Sequence, residues 1–131
     1  MASEGSRFIL PISEERAEKI KSYHCAVEVA VNTIAGKYKA IILYHLTKGT
    51  MRYNQIQKLI PQATPQMLSR QLRELEADGI IDRVVYPVVP PKTEYSLTAF
   101  GQSITPIVEA LHLWGVSFLE AVGIDRLADE K

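Results

Sequence analysis

The stretch TPQMLSRQLRELEADGII, residues 64–81, constrains the fold more than any other part of the chain. Thr64 followed by Pro65 is a specific helix start, a capping hydroxyl and then a ring whose fixed φ and missing N–H suit the first helical position. Gly79 stands just past the last turn, where a left-handed residue closes a helix. At about 100° per residue, Leu68, Leu72 and Leu75 fall within roughly 60° of one another and form a core face. The helix is followed directly by IIDRVVY and TEYSLT, two β-rich runs separated by PVVPPK. These predict a hairpin with a stiff, projecting, proline-bearing tip.

The remaining elements follow from the same signals. Ser13 can cap a short helix with Glu14 and Glu15 in its first turn, and the residues before it read as a loose tail. CAVEVAVNTIAG places Val27, Ala30, Val31 and Ile34 at helical spacing before Gly36 and predicts a helix packed on the core. KYKAIILYHLTKG is apolar around most of its circumference, which predicts a central helix ending at Gly49. TMR allows only a few paired strand residues. NQIQKLI is a brief helix that Asn54 can cap, with Tyr53 stapled before it and Pro61 after it. Thr98 can cap a long last helix whose stripe runs from Ile104 to Leu119, with Pro106 as a candidate kink. The order is helix, helix, helix, short strand, helix, helix, strand, strand, long helix. The expected fold is mainly α with a small β-hairpin, a winged helix-turn-helix.

The outward side of the 64–78 helix holds Gln66, Arg70, Arg73 and Ala77, with Ser69 beside them and no acid. Arginine is the usual bidentate partner of guanine, glutamine can pair with adenine, and serine reaches base or phosphate. The bland reading is that any solvated helix face is polar, and that Arg70 with Glu74 is an ordinary i,i+4 pair. Charge distribution bears on the choice. Lysine plus arginine number 15 and aspartate plus glutamate 15, yet residues 37–92 hold nine bases and four acids. A neutral whole therefore conceals a basic middle between acidic ends, a pattern that suits a polyanion partner. Lys37, Arg52, Asn54, Arg83 and Lys92 are candidates for phosphate contact on either side of the reading helix, where Thr64 stands at the N-terminal end.

GKYKAIILYHL, RYNQIQKLIP, MLSRQLRELEADGII, VYPVVPPKTEYSLTAFG and LHLWG, in that order, resemble the HxlR family of winged-helix transcriptional regulators, relatives of the MarR-type repressors. The resemblance runs over residues 25–115, leaving 1–24 as an N-terminal tail and short helix and 116–131 as the end of the last helix and a tail. It implies a homodimer held by the N- and C-terminal helices, bound to double-stranded, pseudo-palindromic operator DNA. The reading helix would be 64–78 and the wing would lie around Pro87 to Lys92. Tyr38 stands where the family has tryptophan, and Cys25-Ala26 where it has Cys-Pro.

The apolar stripe also makes a second copy of the chain the expected partner. Val27, Ile107, Leu111, Trp114 and Phe118 are the candidate dimer contacts. Cys25, the one cysteine, opens a helix beside His24. It is either a small buried hydrophobe or, as in some members of the family, a thiol that senses oxidants or electrophiles. His45 and His112 lie on apolar helices and read as structural. No residues are spaced for a metal, a cofactor or a nucleophile with its base, so an enzyme is not expected. No apolar run is long enough to span a membrane, which predicts a cytoplasmic location. The effector is not legible. The alternative function is a winged helix that contacts proteins and not DNA. Salt separates the two, because phosphate contacts weaken steeply as salt rises.

Overall fold

The computed structural model describes residues 12–125 and 127; the expected tail before Ile12 lies outside them. The described residues form six α-helices and a three-stranded antiparallel sheet. The helices are α1 (Glu14–Lys21), α2 (Ala26–Ile34), α3 (Lys39–Leu46), α4 (Tyr53–Leu59), α5 (Pro65–Ala77) and α6 (Thr105–Ala121). The strands are β1 (Met51–Arg52), β2 (Ile81–Tyr86) and β3 (Lys92–Leu97), in the order β1-β3-β2. The core is built from Ile42, Leu43 and Leu46 of α3, Ile56 of α4, Leu68, Leu72 and Leu75 of α5, Ile81, Tyr95 and Leu97 of the sheet, and Val108 of α6.

Both ends of α5 form as their residues dictate. The Thr64 hydroxyl accepts the Met67 N–H at 3.2 Å. At the other end Gly79 takes φ 76°, its N–H donates to Glu76 O, and the Ile80 N–H reaches back to Leu75 O at 3.0 Å. This is the paired 6→1 and 5→2 closure that a left-handed residue permits, with buried Ile80 packing near buried Leu75. The chain then enters β2 at once, so the end of the helix and the root of the hairpin are one rigid joint. Thr98 reinforces it, its hydroxyl 2.7 Å from Gly79 O and its N–H 3.0 Å from Ile80 O.

Four local expectations are corrected. Asn54 does not cap α4: the cap lies two residues earlier, at Arg52, whose N–H donates to Gln55 Oε1 at 2.8 Å. The glutamine's reach back to the cap replaces the asparagine, and Tyr53 lies inside the first turn. Thr98 does not cap the long helix, because its hydroxyl accepts the Gly101 N–H at 2.8 Å and starts a short 3-10 helix, Gly101–Ile104. Pro106 then falls in the first turn of α6, where a missing N–H costs nothing, and so kinks nothing. Finally, α2 has no buried residue. Ile34 packs on the core, but Val27 and Val31 are 69% and 55% exposed.

α6 resembles α2 in this respect. Of its seventeen residues only Val108 is buried. Ile107, Leu111, Trp114 and Phe118, which share one stripe at helical spacing, are about half exposed or more, with Trp114 at 67%. The Trp114 and Phe118 rings stack on each other at 5.5 Å. His112 stacks on Tyr44 at 5.1 Å, and His45 meets the edge of the same ring. Burial, with Lys48 adding to it, holds His45 below the ordinary imidazole range.

Candidate nucleic-acid interface

On α5 the two faces separate cleanly. Leu68, Leu72 and Leu75 are at most 1% exposed, whereas Gln66, Arg70 and Arg73 are exposed and Ser69 is half-buried. Among the described residues neither Arg70 nor Arg73 forms an ion pair. The Arg70–Glu74 pair of the bland reading does not form, and Glu74 is bound instead by Lys39, 2.8 Å away. Two guanidiniums, an amide and a hydroxyl thus project together from one helix with no acid opposing them.

A third row along α5, which the sequence reading missed, fixes where that face points. Gln71, Glu74 and Asp78 lie at i, i+3 and i+7, the first two held from the start of α3 and the third from α1. Gln71, 4% exposed, accepts the Tyr38 backbone N–H through Oε1 at 2.7 Å. Asp78 receives Arg16 Nε and Nη2 of α1 at 3.0 and 3.2 Å. Lys39 is itself buried, and its stem runs beside Gly36, where a Cβ would come within 2.8 to 2.9 Å of Lys39 side-chain carbons. The Gly-Lys-Tyr-Lys run therefore has a mechanical meaning: glycine makes room for the second lysine to cross to α5. Gln71 was detectable in principle, since it sits on the border of the leucine face where a polar group must find a partner. The Arg16–Asp78 contact, 62 residues apart in sequence, leaves no local signal.

Lys39 donates a hydrogen bond to Glu74 and so holds this carboxylate below its ordinary range, with burial opposing and the positive fields of Lys39, Arg70 and Arg16 assisting. The sign follows. Stability from the pair is complete above the unfolded-state value of about 4.3 and is lost as pH falls through the lower folded value. Glu74→Gln keeps an acceptor but removes the charge. With the carboxylate side half exposed, it is expected to cost at most about 1 kcal/mol in urea unfolding at neutral pH. The difference from the parent should vanish in acid.

The hairpin cations are placed differently from one another. Met51 and Arg83 are both paired with Tyr95, whereas Arg52 and Val84 are paired with Glu94. Paired residues share a face. Arg83 therefore lies on the side of Tyr95, where it meets Glu76 at 3.5 Å. Arg52 and Lys92 lie on the outer side with Glu94 between them, and Lys92 Nζ sits 3.6 Å from that carboxylate and 5.0 Å from the Tyr86 ring centroid. Lys37 is exposed, its ammonium 5.6 Å from the Tyr38 ring centroid. The tip itself is apolar: Val88 and Val89 are exposed, the latter almost completely. The guanidiniums of α5 are thus free of ion pairs, while Arg83 and Lys92 are each partly neutralised.

Cys25 occupies the cap position of α2, exposed, with its thiol making no capping bond. His24 does not face it as a base. Its N–H and Nδ1 both turn to Glu28, at 2.7 and 3.6 Å. Among the described residues there is no cluster that could hold a metal ion, and no helix long and apolar enough to cross a membrane.

A helix pair joined by a short turn, with the second helix running into a three-stranded sheet and its hairpin, defines a winged helix-turn-helix regulator of the MarR-like class. The chain belongs to the HxlR-like helix-turn-helix family, whose profile matches residues 33–122. It is 48% identical over 103 residues to the HTH-type transcriptional regulator YdeP of Bacillus subtilis, covering 79% of each protein. Among solved structures it is similar to the redox regulator HypR. The reduced form gives 46% identity and a TM-score of 0.72 over 76% of this chain and 98% of that one. The oxidised form gives 46% and 0.69 over 79% and 100%. The reduced form of the transcriptional regulator YodB from B. subtilis gives 29% and 0.62 over 76% and 98%. The matched profile begins at Thr33 and not at Cys25, so α1, most of α2 and the cysteine lie outside it. A family of transcriptional regulators is not a family of enzymes.

Proposed function

We propose that this cytoplasmic protein binds a pseudo-palindromic DNA operator as a homodimer and regulates transcription from it. The observation that carries the reading is the acid-free outward face of α5, where Gln66, Ser69, Arg70 and Arg73 project from a helix anchored on its other two sides. The first turns of such a helix enter the major groove. Thr64, Lys37, Arg52 and Asn54 are assigned to phosphate, and Arg83 and Lys92 to weaker phosphate contact that must first release Glu76 and Glu94. Val27, Ile107, Leu111, Trp114 and Phe118 are assigned to the dimer contact.

The thiol of Cys25, exposed at a helix N-terminus, is assigned as a redox-responsive group. Similarity to HypR, a redox regulator, and to YodB, which has a solved diamide-treated form, supports that assignment. Selection of bound duplexes from random DNA tests both halves. The expected result is an inverted pair of half-sites spaced by one helical turn, about 34 Å, lost or weakened with diamide. Cys25→Ser should keep the selected sequence and abolish the diamide effect. Failure to enrich any sequence would remove the operator reading, and a persistent diamide effect in Cys25→Ser would remove the sensor. Binding that does not weaken with salt would favour a protein partner instead.

A further inference from the structure

The hydroxyl of Thr98 stands where three parts of the molecule meet. Thr98 follows directly on Leu97, the last residue of β3, and so marks the exit of the hairpin. Its Oγ1 donates across to the end of α5, 2.7 Å from Gly79 O and 3.2 Å from Ile80 O. The same oxygen accepts the Gly101 N–H at 2.8 Å, and Gly101 opens the 3-10 helix that runs straight into α6. Backbone bonds complete the joint. The Thr98 N–H donates to Ile80 O and its carbonyl accepts the Gln102 N–H, both at 3.0 Å. Gly101 rests so closely on this closure that a Cβ there would collide with Ile80 O. A backbone carbonyl cannot turn aside as a side chain can, so the start of α6 is seated directly on the end of α5.

We infer that Thr98 is a positioning residue that sets which spacing of half-sites the dimer accepts. The inference rests on the proposed homodimer and its operator. In that dimer the path from one α5 to the other runs through this joint, along α6, across the contact between copies, and back through the partner's copy of the joint. Each angle on the path decides where the second α5 meets DNA. One base pair inserted between half-sites moves the second site by about 3.4 Å along the duplex and roughly 34° around it. A stiff joint resists that displacement and a loose one absorbs it. The polar row Gln71, Glu74 and Asp78 holds α5 against the N-terminal half. Thr98 holds its end against the hairpin and α6. Preorganisation of this kind favours one geometry because less ordering remains to be done on binding. The second half-site is then presented at high effective concentration only when the span matches.

Thr98→Val keeps the β-branched shape without the hydroxyl, Thr98→Ala removes the hydroxyl without leaving a methyl against Gly79 O, and Thr98→Ser keeps the hydroxyl. Fluorescence anisotropy with the full chain compares four duplexes: the selected operator, the operator with one base pair inserted or removed between its half-sites, and a single half-site. The parent is expected to prefer its own spacing over either altered one by about tenfold or more. In Thr98→Val and Thr98→Ala the preference should fall to about threefold or less, while affinity for the single half-site stays within about twofold of the parent. Thr98→Ser should retain the preference. Equal losses on the single half-site and the operator, with the spacing preference intact, would make Thr98 a merely structural residue and overturn the inference. So would a Thr98→Ser that behaves like Thr98→Ala. A parent indifferent to spacing would remove the dimeric operator reading and this inference together, whereas a preference shared by the parent and Thr98→Ala would remove the inference alone.

Discussion

Replacing Leu111 and Trp114 together by glutamate is expected to give a folded monomer at micromolar concentration that has lost about 10²-fold or more in operator affinity. The fold should survive because neither side chain is in the core: both are about half exposed or more, and Val108 alone is the buried anchor of α6. The association should not survive. Fully burying a large apolar side chain contributes about 1.5 to 3 kcal/mol, so each protomer forfeits about 3 to 6 kcal/mol before the cost of a buried carboxylate is added. That exceeds the roughly 1.4 kcal/mol that separates one decade of affinity from the next several times over. DNA binding falls with it because the second half-site is otherwise held at high effective concentration by the first. Light scattering with size exclusion and a far-ultraviolet dichroism spectrum check the two halves separately. A variant that still runs as a dimer would place the interface elsewhere.

The parts legible in the sequence are those with local causes. The Thr64-Pro65 start, the Gly79 stop, the leucine face of α5 and the β-branched runs of the hairpin each depend on residues within a few positions, and the structure has all of them. Ser13 also caps α1 as expected, its hydroxyl accepting the Arg16 N–H at 3.0 Å. The errors share one character. Asn54 and Thr98 are each a good cap by residue type, but Gln55 closes on Arg52 two residues before Asn54, and the Thr98 hydroxyl takes the Gly101 N–H at the start of a 3-10 helix instead. The Arg70–Glu74 pair of the bland reading does not form, because a lysine from another helix, threaded past Gly36, holds the carboxylate. Helix α2 was expected in the core from its periodicity, but periodicity reports that a face is apolar and not what covers it. The same limit applies to α6, whose stripe is real and uncovered. In the polar row Gln71, Glu74, Asp78 only Gln71 is marked locally, by its place on the border of the leucine face; the partners Tyr38, Lys39 and Arg16 are set by tertiary packing.

That row bears on the second large effect. Arg70→Ala is expected to weaken binding to the selected operator by about 1 to 3 kcal/mol and to relax preference at one base position in each half-site, with little change on random DNA. Arg70 is suited to this because, among the described residues, it forms no ion pair. Glu74, its natural i,i+4 partner, belongs to Lys39, so the guanidinium needs no ion pair broken before it reaches a base edge. The same geometry predicts a contrast. Lys92 must leave Glu94 to contact phosphate, and Lys92→Ala should weaken cognate and random DNA alike while reducing the slope of log K against log salt by about 0.9 at most. Fluorescence anisotropy on both DNAs at several salt concentrations separates the two variants. Equal losses on both DNAs for Arg70→Ala would reassign it to the backbone. The specificity of the face would then rest on Gln66, Ser69 and Arg73. A selective loss for Lys92→Ala would instead mean that the wing reads sequence, through the narrow groove its apolar tip can enter.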